Sequence, residues 1–185
     1  MRMLEKNIEE LNLLDNIELK EIPEIDLYMD QVIQLFESKL DNYKRTQEDK
    51  ILTKTMINNY VKGKLLMPVT KKKYTKEHII LMSIIYQLKG GLSISDIKDV
   101  VECVVTSFAD NKEINLDGIY NSYLAMNTKN AYDFQKEVES IENKMKNDFV
   151  SDEKEQDVIM VTTLINKANM YRRLAEKIID NNKEK

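Results

Sequence analysis

Turn-forming residues are scarce in this chain: four glycines and two prolines serve 185 residues, against a combined share of roughly 12% in ordinary proteins. Sandwiches, barrels and doubly wound sheets need frequent turn signals, so there is too little punctuation here for any of them. An all-α architecture is what the composition leaves. Apolar residues make up 42% of the chain, enough to bury a core, and the length suits one domain or a small domain with a long helical extension.

The longest apolar stretch, Ile79 to Tyr86, is interrupted by Ser83 and falls well short of the ~20 residues that cross a bilayer. No membrane partner is expected. The amino terminus, MRMLEKNIEELN, mixes charge with apolar residues and lacks the apolar run of a secretory leader, so a cytoplasmic location is expected. One cysteine, Cys103, and one histidine, His78, can build neither a disulfide framework nor a metal site, and no cofactor is expected. There is no Walker loop, dinucleotide fingerprint or nucleophile elbow. An enzyme is therefore not expected, and no catalytic residue is assigned.

The net charge of −4 conceals a segregation. Between Lys39 and Lys76 stand eleven basic and three acidic residues, a local charge of +8, which leaves −12 on the rest of the chain. An anion-binding module on an acidic scaffold is the reading this favours; the bland alternative is a solvated, lysine-rich surface.

Apolar periodicity divides the chain into helices. Residues Met1 to Pro23 fit either a short helix or an arm. From Asp26, a candidate N-cap, the residues Tyr28, Met29, Val32, Ile33, Leu35, Phe36 and Leu40 form a core-facing stripe. A polar connection, Asp41 to Lys50, leads to Thr53, a second candidate cap. The helix that follows ends at Gly63, with Met56, Ile57, Tyr60 and Val61 inward and Lys54, Thr55, Asn58, Asn59 and Lys62 outward. The segment LLMPVTKKKY is extended or a hairpin, because Pro68 forbids helix. Thr75 caps a helix to Lys89 that is apolar around much of its girth and should be the central buried one. Gly90 and Gly91 are expected to stop it in the left-handed conformation, and Ser93 or Ser95 starts the next helix, bearing Ile94, Ile97, Val100, Val101, Val104 and Val105. Beyond Asp110 two long helices are expected. Ile119, Tyr123, Ala131, Phe134, Val138, Ile141 and Met145 recur along the first; after a charged break, Asp148 to Asp157, Val158, Val161, Ile165, Ala168, Tyr171, Ala175 and Ile178 recur along the second. Core packing is the expected role for nearly all of these residues, in an antiparallel hairpin whose seam either pairs between chains or packs within one.

The order of elements from Asp26 to Val105 resembles the MerR-type winged helix-turn-helix. Carrying the resemblance are Tyr60 running into Lys62, Leu65 and Leu66, then Pro68, then Lys72-Lys73-Tyr74-Thr75, and finally Gly91-Leu92-Ser93-Ile94 ahead of Asp96-Ile97-Lys98. The wording LTKTMINNYVKGKLL with KKKYT also resembles the bacterial domain of unknown function 1836 family, described as MerR-like, over roughly Pro23 to Val105. The resemblance implies a recognition helix, a basic wing and a helix pair ahead of a dimerising helix. The chain departs from the MerR pattern where an arginine would stand two positions before the tyrosine, since Asn58 is there, and where Lys64 takes the usual place of a glycine now at Gly63. MerR-type metal sensing uses cysteines, so Cys103 alone carries over no metal effector.

The expected organisation is residues 1–23 as an arm or short helix, 24–109 as a winged helix-turn-helix domain and 110–185 as a helical hairpin. The expected function is sequence-specific binding of double-stranded DNA by a transcriptional regulator, as a homodimer through the carboxy-terminal helices and with an unidentified small-molecule effector. Lys54, Lys62, Lys64, Lys71, Lys72 and Lys73 would neutralise phosphates, with Thr55 beside them. Asn58 and Asn59 would read adenine edges, giving an A·T-leaning site. Tyr60, flanked by Ile57 and Val61, is read as core. The rival expectation is an adaptor whose basic segment docks an acidic protein partner.

Overall fold

The structure, a computed structural model, describes residues 2–110, 112–148 and 152–183. Most of these residues are helical. The order is α1 (Arg2–Glu10), β1 (Leu27–Tyr28), α2 (Met29–Leu40), α3 (Lys54–Lys62), β2 (Lys73–Tyr74), α4 (Lys76–Leu88), α5 (Ile94–Ala109), α6 (Leu116–Asp148) and α7 (Glu153–Lys183). The chain divides into two compact units, Met1–Asn127 and Thr128–Lys185, with the boundary inside α6.

The first unit is organised around α4. His78 to Ser83 and Ile85 are all buried, so this helix has to be enclosed on nearly every side. Val32, Phe36 and Leu40 of α2, Ile57 and Tyr60 of α3, and Ile97, Val101 and Val104 of α5 belong to the same core, with Leu65, Leu66 and Met67 from the segment before β2. The amino-terminal segment joins it too. After α1, Ile17 and Ile22 are buried, and the Tyr120 hydroxyl donates to the Ile17 carbonyl at 2.7 Å.

Helix α4 starts by a local device. The Thr75 N–H donates to His78 Nδ1 at 3.2 Å, the arrangement in which the third helical residue reaches back to the cap. With Nδ1 accepting, the neutral ring carries its proton on Nε2, which faces the Met67 carbonyl at 3.2 Å. One buried imidazole thus ties the start of α4 to the segment ahead of β2.

Three sequence expectations are corrected. Helix α2 begins at Met29 and not from Asp26: Leu27 and Tyr28 form a strand instead, paired antiparallel with Tyr74 and Lys73, and Tyr28 is 55% exposed. Strand pairing outcompetes one more helical turn there. Gly90 and Gly91 are not left-handed; the Leu88 carbonyl accepts from both Gly91 and Leu92 N–H groups at 3.0 Å, which closes the turn without a positive φ. The third correction concerns α7. Val158, Val161, Ile165, Ala168, Tyr171 and Ile178 are exposed, while Ile159, Met160 and Leu164 are half-buried and Ile179 is buried. A recurrence of three and four residues defines a stripe, but α7 is apolar on more than one face, and periodicity does not choose between faces. Residues 149–151 of the expected charged break lie outside the described residues, and α7 already begins within that break. In the second unit Val138 and Met145 of α6 are buried, and Lys167 of α7 pairs with Glu137 of α6 at 2.5 Å.

Burial pushes the His78 imidazole below the ordinary histidine range, against the proton-favouring Met67 carbonyl. In the unfolded chain the ring takes a proton near its ordinary value of about 6.5. The neutral ring's contribution is therefore present above about pH 6.5 and is lost as pH falls through the depressed folded value. Urea midpoints measured at about pH 7 and about pH 5 should fall further for the wild type than for His78→Gln, whose amide still serves the cap but does not titrate. Equal falls would contradict the assignment.

Candidate nucleic-acid interface

Helix α3 is set by its cap and its Tyr60 face. Thr53 Oγ1 accepts from the Met56 N–H at 3.1 Å, and Ile57 and Tyr60 are buried while Met56 and Val61 are half-buried. On the other side Lys54, Asn58 and Lys62, four residues apart, stand in one row, with Thr55 and Asn59 in the next. All five are exposed. Their hydrogen-bonding groups face outward, and Tyr60 lies in the core as read from the sequence.

The end of α3 explains the displaced glycine. Leu65 N–H bonds to the Tyr60 carbonyl at 2.9 Å and Lys64 N–H to the Val61 carbonyl at 3.1 Å, the paired bonds of a Schellman cap. Lys64 is the left-handed residue, with φ 59°, where glycine would be easier. Gly63 is needed for space: a Cβ there would lie 2.8 Å from Leu65 Cδ1 and 3.0 Å from the Asn59 carbonyl oxygen.

A second left-handed pair forms the hairpin tip. Thr70 and Lys73 bridge, with Lys73 N–H on the Thr70 carbonyl at 3.0 Å. Between them Lys71 and Lys72 have φ of 53° and 60°. Two consecutive left-handed residues are the pattern of the tight hairpin turn that ordinarily takes Asn-Gly. Both lysines are exposed at the tip.

The hairpin and α3 are joined through the start of α2. Lys54 Nζ pairs with Asp30 at 2.7 Å; Tyr28, two residues earlier, lies under the Lys73 ammonium at 5.3 Å from the ring centroid. Lys54, Asp30, Tyr28 and the half-buried Lys73 therefore make one run from the first turn of α3 to β2. Lys62 and Lys64 stand at the far end of α3, about 12 Å from Lys54 by helical rise. Tyr28 was missed as a site residue because a two-residue strand leaves no alternation to detect, and Asp30 because its pairing with Lys54 is a long-range contact that a helix face alone does not reveal.

Ion pairs sort the basic segment. Lys39 is held by Glu21, Lys44 by Glu37 and Asp41, and Lys76 by Glu24 and Asp117. Among the described residues no ion pair is formed by Lys62, Lys64, Lys71, Lys72 or Lys73. Lys54 is paired, but with both side chains largely exposed, and such pairs contribute little. Among the described residues no group of three or more His, Cys, Asp or Glu side chains could hold a metal ion, and no helix is long and apolar enough to cross a membrane.

A family model described as "Domain of unknown function (DUF1836)" matches residues 17–123, more than half of the chain. The chain belongs to the DUF1836 family. No curated protein and no solved structure matches it. The DUF1836 match opens at Ile17, which takes the Tyr120 hydroxyl bond, and it includes α3, the hairpin and α4, whereas α7 lies beyond it.

Left-handed lysine costs about 1 kcal/mol relative to glycine. Lys64→Gly, and separately Lys71→Asn with Lys72→Gly, should each raise unfolding free energy by roughly 1 kcal/mol in urea titrations. Gly63→Ala should lower it. A loss of stability in Lys64→Gly would contradict the cap geometry.

Proposed function

We propose that this chain is a winged helix-turn-helix protein that binds double-stranded DNA and regulates transcription, with α3 in the major groove and the Lys71–Lys72 hairpin as a wing on the adjacent backbone. In this reading residues 24–109 carry the DNA-binding elements and residues 110–185 form a helical hairpin, a direction of folding supported by the Lys167–Glu137 pair.

The observation that carries the reading is the set of lysines on and beside α3 and the hairpin that have no acidic partner, exposed except for the half-buried Lys73. Within one strongly basic segment Lys39, Lys44, Lys54 and Lys76 are tied to carboxylates, while Lys50 on the connection ahead of α3, Lys62, Lys64 and Lys71 to Lys73 form no ion pair among the described residues; of these, Lys62, Lys64 and the hairpin lysines lie on or beside α3 and the wing. Three of these, Lys64, Lys71 and Lys72, occupy left-handed positions that glycine or asparagine would fill at lower cost, a strain that a use for the charge accounts for. Phosphates supply that use, with affinity coming from counterion release. The row Lys54, Asn58, Lys62 places an amide between two ammonium groups. An asparagine can pair bidentately with adenine, at about 1–3 kcal/mol of discrimination, whereas no arginine stands on α3 to read guanine.

Titration of duplex binding against salt tests this. The logarithm of affinity should fall with the logarithm of salt at a slope of several units, and Lys72→Ala or Lys73→Ala should weaken all sequences alike and reduce the slope by about 1 each. Asn58→Ala should change sequence preference more than slope. A chain with no duplex affinity at moderate salt that instead retains an acidic polypeptide would be an adaptor.

A further inference from the structure

Among the described residues of the basic segment, one ion pair is far more open than the others. The side chains of Lys39, Lys44 and Lys76 are between 15% and 36% exposed, whereas Lys54 is 64% and its partner Asp30 is 76% exposed. The pair closes at 2.7 Å between two helices, from the first residue of α3 to the first turn of α2. We propose that Asp30 is an internal competitor for DNA phosphate: its carboxylate occupies the Lys54 ammonium in the free chain and has to release it when α3 engages a duplex. The inference rests on the DNA reading and adds to it a residue that opposes binding.

Asp30 is held in place for this. Tyr28 pairs with Lys73 as strand, and its N–H donates to Gln31 Oε1 at 2.8 Å, so strand and cap together fix where α2 begins. Asp30 stands between these two residues in the first turn, where the helix dipole favours a carboxylate. Lys54 is in the opposite situation. It is a cation in the first turn of α3, where the dipole disfavours it, and that turn has no acidic residue of its own. Asp30 supplies the missing negative charge from α2. A phosphate oxygen on Lys54 would supply it equally well, which makes the two anions alternatives for one ammonium group. The ammonium has donors enough for both, yet carboxylate and phosphate gathered on it would stand within about 6 Å of each other, and their repulsion works against the second contact.

The size of the effect follows from the exposure. Pairs as open as this are weak, so giving Lys54 up costs at most about 5-fold in affinity. The freed carboxylate also remains beside the backbone, which lowers the number of phosphates effectively neutralised by about one. This penalty falls on every sequence alike, because it concerns phosphate and not base edges. Asn58, one turn along the same row, keeps its preference.

Anisotropy titrations of a labelled random-sequence duplex between about 50 and 200 mM salt test the proposal, with wild type, Asp30→Asn, Lys54→Ala and the double variant. Asp30→Asn should bind about 5-fold tighter at the low end and steepen the dependence of log affinity on log salt by about 1. Lys54→Ala should weaken binding at least about 3-fold more in the Asp30→Asn background than in the wild type, since only there does the ammonium reach phosphate without leaving a carboxylate. Glu48→Gln removes a carboxylate from the connection ahead of α3 and should leave the effect of Lys54→Ala unchanged, which separates the pair from general charge. Positions 30, 48 and 54 are all exposed, where substitutions leave a fold intact. If duplex is bound but Asp30→Asn binds no tighter, or its effect and that of Lys54→Ala simply add, the competitor role is overturned and the DNA reading stands. If no variant binds duplex, Asp30→Asn included, both are overturned.

Discussion

Enclosure of α4 is the constraint on which the rest of the first unit depends. A helix buried from His78 to Ser83 and again at Ile85 must be wrapped by its own chain, and α2, α3, α5, Ile17, Ile22 and the segment Leu65 to Met67 do this. The basic hairpin inherits its rigidity from the same arrangement. One end of its root, Met67, is bonded to His78, and the other, Tyr74, is buried with its ring edge-on to the same imidazole at 5.7 Å. The lysines at the tip therefore project from a root fastened to the most buried helix, and a mobile loop would give them no fixed direction.

The electrostatics follow from that placement. Lysines at the margins of the core are satisfied within the chain, Lys76 by Asp117 at 2.9 Å and Lys89 by the Ile51 carbonyl at 3.1 Å and the Tyr86 ring, and contribute to holding elements together. Lys62 on the outer row of α3, Lys64 past its end and Lys71 and Lys72 at the hairpin tip are left to solvent. Asp30 takes an intermediate position, since its exposed pair with Lys54 can be exchanged for a phosphate at small cost. Tyr28 contributes a flat ring beneath Lys73, an interaction of about 0.5–1 kcal/mol at an exposed site. A chain of net negative charge can in this way present a locally positive surface without burying an unpaired charge.

Local chemistry was legible in the sequence. The caps at Thr53, Thr75 and Ser93, the end of α3 at Gly63, and the inward set Ile57 and Tyr60 can all be read from a few neighbouring residues, and the nine residues assigned to the site lie on exposed α3 positions or on and around the hairpin. What depends on distant partners was not. Tyr28 reads as the first inward residue of α2 until Lys73, 45 positions later, pairs with it. The left-handed residue at the end of α3 is Lys64 because crowding at Leu65 and Asn59 fixes the glycine one place earlier. The seam of α7 is a true stripe, but which side meets α6 depends on packing that periodicity does not encode.

The central claim is that Asn58 and Asn59 on α3, together with the unpaired lysines, form a surface that reads a duplex. Selection of bound duplexes from a random-sequence library at moderate salt tests this most directly. The account predicts enrichment of an A·T-leaning motif, and a pool that stays unenriched after repeated rounds would contradict it.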